Sequence, residues 1–204
     1  VTVEDLTAIH TALLTGTRAQ PWAGAVRTEQ NWSGGINPCS ASFVPPPESR
    51  VPELLDDLLR YVSGDEHPAL LQAALAHAQF ETIHPFADGN GRTGRALIQL
   101  VLRRRGVATR VLPPISLVLA TEAGRYVSAL DGTRGTGDTT VGQLEWVELF
   151  LSATGRACRD ASTFADDLVA LQVASRSRLG AVRRNSATDL LLTALPSLPV
   201  FSVT

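Results

Sequence analysis

The side chains best suited to act on a phosphoryl group lie together in one run, His84-Pro85-Phe86-Ala87-Asp88-Gly89-Asn90-Gly91-Arg92-Thr93-Gly94-Arg95. Gly89 and Gly91 permit a tight backbone path with converging N–H groups, and the apolar period that follows reads as a helix. Together they predict an anion nest on a helix N-terminus. Arg92 and Arg95 stand in the first turn of that helix, where a cation works against the macrodipole by about 0.3–1 kcal/mol each. A bound polyanion would reverse that local field. Their i,i+3 spacing puts both guanidinium groups on one face, and arginine grips phosphate oxygens bidentately, so the pair suits a β,γ-phosphate tail. Asp88 would oppose phosphates unless a divalent cation lay between them, which makes it the natural Mg²⁺ ligand. His84 titrates near neutrality and can take a proton from an attacking hydroxyl. A base, a metal ligand, a nest and two clamps predict nucleotidyl or phosphoryl transfer. Gly89 to Gly94 also satisfies G-x-G-x-x-G, but a helical segment precedes it and no acid occurs between Ala96 and Thr121, which excludes a dinucleotide fold.

The same run matches the Fic signature H-x-F-x-[DE]-G-N-G-R-x-x-R at every specified position. With eight constrained positions at ~5% usage each, chance agreement is on the order of 10⁻¹⁰ per starting site. Ala25-Val26-Arg27, Asn31 to Gly35, Ala41 to Pro47, Leu75 to Ile83, and Arg125-Tyr126 with Leu130 also resemble Fic-family landmarks, so the likeness covers residues 1–164. Fic proteins are mostly adenylyltransferases that move AMP from ATP to a hydroxyl of a target protein and release pyrophosphate. The resemblance implies that His84 deprotonates a Tyr, Thr or Ser hydroxyl of the target, Asp88 holds Mg²⁺, and Gly89, Asn90 and Gly91 cradle the α- and β-phosphates. It gives Arg92 the β-phosphate and Arg95 the γ-phosphate, and it makes Phe86 the anchor of the loop. Tyr126 lies where the family often lines its adenine cleft, although Val127 replaces a frequent second aromatic residue. The segment from Trp32 to Val44 resembles the family flap, with Ile36, Phe43 and Val44 expected to dock the target. Gly91, where the kinase branch carries lysine, favours AMP transfer. The competing expectation is a non-catalytic nucleotide-sensing regulator coupled to a C-terminal DNA-binding module. The intact His84 argues against that alternative.

Positioning these residues requires a scaffold, and the hydrophobic period supplies one. Val3, Leu6, Ile9, His10, Leu13 and Leu14 predict a helix over 3–14 ended by Gly16. From Pro21 to Pro47 no helical period appears; Gly34-Gly35 and scattered apolar residues predict a small β-hairpin flap, at about 27–47. Leu54, Leu55, Leu58 and Leu59 predict a helix over 52–61. Pro68 opens another over 69–83, apolar nearly all round with the single acid Glu81, which belongs in the centre of a core. A helix from about Gly91 to Arg105 stops at Gly106. Further helices are expected over 115–130 and from Val141 to about Arg184, the latter with a break near Gly155. The fold class is all-α: a Fic-type helical bundle over 1–164 with a β-hairpin flap, a connecting helix over 165–185, and over 186–204 the candidate start of a winged-helix module.

Composition excludes several alternatives. The chain of 204 residues carries a formal net charge of −2, and all 18 of its basic residues are arginine. That removes P-loop lysine, Schiff-base and serine-lysine chemistry. Cys39 and Cys158 form neither a disulfide framework nor a zinc pattern. No apolar run reaches a membrane span, so a cytoplasmic protein with no membrane partner is expected. The chain opens on Val1 and has no methionine, which suggests a trimmed or domain fragment. Many Fic proteins carry an inhibitory [S/T]-x-x-x-E-[G/N] helix. Ser49 to Glu53 comes nearest here, but Pro52 interrupts it and Leu54 follows. An inhibitory helix is therefore expected upstream of Val1 or in trans, and a DNA partner only with a winged helix.

Overall fold

A computed structural model describes residues 1–135 and 139–195. Its α-helices are α1 (Val3–Leu14), α2 (Val51–Ser63), α3 (Ala69–Ile83), α4 (Asn90–Arg104), α5 (Ile115–Thr121), α6 (Ala123–Gly132), α7 (Thr140–Leu179) and α8 (Ala187–Ala194). An all-α bundle is thus what forms. None of the described helices is long and apolar enough to cross a membrane. By its internal contacts the chain divides into residues 1–154 and 155–204.

The apolar helix α3 lies at the centre of the first unit. Ala73, Ala74, Ala76, Phe80 and Ile83 are buried. Such a run of small residues lets neighbouring helices approach closely, and α4 packs along it with Leu97, Ile98, Val101 and Leu102 inward. α1 starts on a capping box, in which Thr2 accepts from the Asp5 N–H and Asp5 accepts from the Thr2 N–H. Val51, Leu55, Leu58, Leu59 and Val62 give α2 its buried stripe. Trp146 of α7, fully buried, donates its indole N–H to the Ala74 carbonyl at 2.8 Å.

Three expectations change. The segment predicted as one helix over 115–130 is two, broken at Glu122, whose backbone leaves the helical region (φ −118°, ψ 38°). The break expected near Gly155 is missing, because a lone glycine weakens a helix by only about 1 kcal/mol. The flap is not a β-hairpin: among the described residues there is no strand, only the isolated antiparallel bridges Val26–Phe86 and Ser33–Phe43. Beyond the second bridge Pro45, Pro46 and Pro47 offer no N–H to extend a ladder. Across the tip, Asn37 caps a short 3₁₀ turn over Pro38–Ser40.

The second unit holds the rest of α7 and α8. Ser186 caps α8 by accepting from the Asp189 N–H, and Arg176 pairs with Asp189 at 2.7 Å. The expected winged-helix start falls partly on 196–204, outside the described residues, and 136–138, between α6 and α7, also lie outside them.

Candidate active site

The run from His84 to Arg95 is a helix end, a short loop and a helix start. His84 terminates α3 with its backbone in the left-handed region (φ 51°, ψ 59°), a conformation that costs a residue with a β-carbon about 1–2 kcal/mol. Arg27 holds it there. Buried at 6% exposure, Arg27 donates from Nε to the His84 carbonyl (2.9 Å) and from its terminal nitrogens to the carbonyls of Ile83, Glu29 and Pro46. Its own N–H donates to the Pro85 carbonyl. One guanidinium therefore satisfies orphan carbonyls at the end of α3 and fastens the flap's base to them.

The loop is closed from within and from below. Asn90 accepts from the Phe86 N–H (2.9 Å) and donates to the Phe86 carbonyl (2.7 Å). Its side-chain amide thus serves the loop, leaving its backbone N–H for a ligand. Asn31 donates to the same carbonyl. Phe86 is buried and stacks on His10, centroids 3.8 Å apart. The His10 ring takes a defined tautomer: Nδ1 accepts from the Gly24 N–H (2.9 Å), so Nε2 carries the proton and donates to the Asp88 carbonyl (2.9 Å). Burial lowers its pKa and keeps it neutral. Gly89, at φ +80°, turns the chain into α4, where a β-carbon would crowd the His10 ring at 3.1 Å.

α4 thus begins with no side-chain cap and no acid in its first turn. Arg92 lies 3.8 Å from Asp88, whose exposed carboxylate accepts from the Gly89 N–H. Among the described residues no cluster of three metal-ligating side chains exists. One exposed carboxylate is a donor that Mg²⁺ accepts, the ion taking one or two carboxylates and completing its shell with phosphate oxygens and water, while the helix-terminal N–H groups suit the phosphates themselves.

A cleft of about 330 Å³ opens beside this helix end. His84, Gly91, Arg95, Tyr126 and Phe43 line it, so the structure gathers these expected residues, while Asp88 and Arg92 are not among its lining groups. Ile36, at the flap tip, is 89% exposed, and Val44 is half exposed. Tyr126 shares a 2.8 Å hydrogen bond between its hydroxyl and Nε2 of buried His77. Burial lowers His77 to about 4, so that ring is neutral and available to accept. Burial also lowers His84 to about 4, with the Arg134 and Arg27 charges pressing the same way. Its Nδ1 faces the Glu81 carbonyl at 3.4 Å, leaving Nε2 for a substrate proton.

Sequence reasoning overlooked several groups. Arg134 lines the cleft; its guanidinium sits 4.0 Å from the Phe43 ring centre, pairs with Asp131 at 3.1 Å and donates to Thr82. His10, Arg27 and Asn31 act through partners 55 or more residues away in the chain, which no local pattern announces. Glu81 did leave a signal, as the lone acid on an otherwise apolar helix.

A family model described as the Fic/DOC family matches residues 1–102. The protein adenylyltransferase fic-1 of Caenorhabditis elegans is 33% identical over 131 residues, 63% of this chain and 23% of its own length. The protein adenylyltransferase Fic of Drosophila melanogaster is 32% identical over 55% of this chain and 22% of its own length. The chain thus spans about a quarter of the relatives it matches. A crystal structure of a Fic family protein from Desulfovibrio desulfuricans G20 superposes with a TM-score of 0.66 at 29% identity, covering 96% of this chain and 59% of that one.

Proposed function

The chain belongs to the Fic/DOC family, and from that premise we propose that it is a protein adenylyltransferase, moving AMP from ATP to a hydroxyl side chain of a target protein and releasing pyrophosphate. The observation that carries this reading is a neutral His84, anchored through its own carbonyl, beside a helix N-terminus that carries two arginines and no acid. A binding module needs the arginines and the helix end; it has no use for a positioned base.

In the proposed step the target hydroxyl oxygen attacks the α-phosphorus. A new P–O bond forms, the bond from that phosphorus to the bridge oxygen of the β-phosphate breaks, and the hydroxyl proton passes to His84 Nε2. The first-turn N–H groups of α4 stabilise charge on the phosphate oxygens, while Arg92 and Arg95 hold the departing pyrophosphate. Asp88 would hold Mg²⁺, which when bound offsets phosphate charge. Phe43, Tyr126, Val127 and Leu130 offer apolar cover for the nucleoside. Trp32 to Val44 would align an extended target segment, bringing its hydroxyl within reach of the phosphorus. Glu53, the acid of the nearest but interrupted match to the inhibitory motif, pairs with Arg50 at 2.9 Å, and control by an inhibitory segment upstream of Val1 or on another protein is part of the proposal.

His84→Ala is expected to cut labelling of the chain or a target by ATP labelled at the α-phosphorus at least about a hundredfold. Nucleotide affinity, measured calorimetrically, should change only a few-fold. Undiminished labelling by that variant would remove the assignment. Nucleotide binding without labelling by the unaltered protein would favour the sensing regulator.

A further inference from the structure

Glu81 lies in the third-last position of α3 and lines the cleft, yet it is only 6% exposed. Its Oε1 is buried without a hydrogen-bond partner. The groups facing it are charged or polar on every side: Arg95 from α4, Arg134 just beyond α6, Tyr126 from α6, and His77 and His84 from its own helix and cap. Neither guanidinium forms an ion pair with it. α4 makes room for the carboxyl at Gly94, where a β-carbon would lie 2.5 Å from Oε1. The carboxyl thus stands in a fitted recess on the cleft wall, with one oxygen turned to α4 and unpartnered, a position from which it can meet a ligand.

A polyphosphate beside an ionised carboxylate would meet like charge at close range, and in a water-poor cleft that repulsion is barely screened. The neutral acid has the opposite character, because it donates a hydrogen bond to an anionic or hydroxyl oxygen. We propose that Glu81 contacts the nucleotide, taking up a proton from solvent as the polyphosphate enters and donating it in a hydrogen bond to one of the nucleotide's oxygens. The inference deepens the adenylyltransferase reading and rests on it. Burial already pushes the carboxyl up to about 7, against the pull of Arg134 and Arg95, so protonation is within easy reach at neutral pH.

ADP with magnesium is the probe, titrated into the whole chain by calorimetry at pH 8 in HEPES and in Tris, buffers with very different ionisation enthalpies. The expected result is uptake of close to one proton per ADP at pH 8, with Kd rising about tenfold between pH 7 and pH 8.5. In Glu81→Gln, a neutral mimic of the acid, the proton uptake disappears and Kd becomes flat over that range. ADP bound with no proton uptake, or with equal uptake in Glu81→Gln, overturns the Glu81 assignment and leaves the adenylyltransferase reading standing. No ADP binding at any pH overturns both. If Glu81→Gln fails to fold, the wild-type buffer series decides alone, since a purely structural carboxyl takes up nothing when ADP binds.

Discussion

The catalytic loop and the flap line the same cleft, and they are secured in opposite ways. The loop is fastened from several directions: Arg27 on the carbonyls behind His84, Asn90 and Asn31 on Phe86, and His10 beneath Asp88. Each of these bonds ends on backbone, so the path of the chain is held without using the side chains of His84, Asp88, Arg92 or Arg95. Between Trp32 and Val44 the flap is held across its width by the Ser33–Phe43 bridge and by the guanidinium of Arg134 against Phe43, while the bonds of Asn37 and Ser40 stay within its own tip. Under the proposed function the difference has a reason: chemistry at phosphorus has one geometry, whereas a target segment would be a variable partner.

Breaking the loop should be far costlier than loosening the flap. Arg27→Ala strands the buried Ile83 carbonyl and removes the part-buried contacts to the carbonyls of His84, Glu29 and Pro46. A loss of about 3–5 kcal/mol is expected, with transfer abolished, read from urea unfolding and from labelling of the same preparation. A loss below about 1 kcal/mol would show that the loop keeps its path without this residue. Phe43→Ala should cost only about 1 kcal/mol, since the ring is half-buried and its cation–π contact is worth about 0.5–1 kcal/mol. Its effect should appear as a several-fold higher KM for a protein target. An equal fall in thermal stability for both variants would erase the contrast.

The smallest effect sharpens it most. His84→Gly and His84→Ala both remove the base, but only alanine must hold a β-carbon at φ 51°. The glycine variant should therefore be the more stable by about 1 kcal/mol in paired unfolding curves. Equal stabilities would mean that the left-handed backbone of His84 is relaxed in both variants and is not enforced by Arg27.

The unequal attachment of the two regions also explains what could be read from the chain. α1, α2, α3 and α4 announce themselves through apolar spacing, and the motif residues stand side by side in sequence, so helices and reactive groups are legible there. The flap misleads because Gly34-Gly35 and scattered apolar residues imitate a hairpin, whereas Pro38 and Pro45 to Pro47 withhold the N–H groups a ladder needs. The kink at Glu122 has no proline or glycine at that position to mark it. What positions the site is the least legible part. His10 reads as one more inward residue of an amphipathic helix, Arg27 as part of a family landmark with no role attached, and Arg134 has no local pattern to mark it, until distant segments bring carbonyls and a ring to them.

The bond from His10 to Asp88 spans 78 residues and that from Arg27 to His84 spans 57. Such long-range closures form late, after the local helices. A chain emerging N-terminus first presents α1 and Arg27 well before the signature motif is made. The motif then meets its supports as soon as it appears, and a partly folded chain carries every reactive side chain without the geometry that lets them act. Under the proposed function, competence to transfer would therefore be a certificate of completed folding.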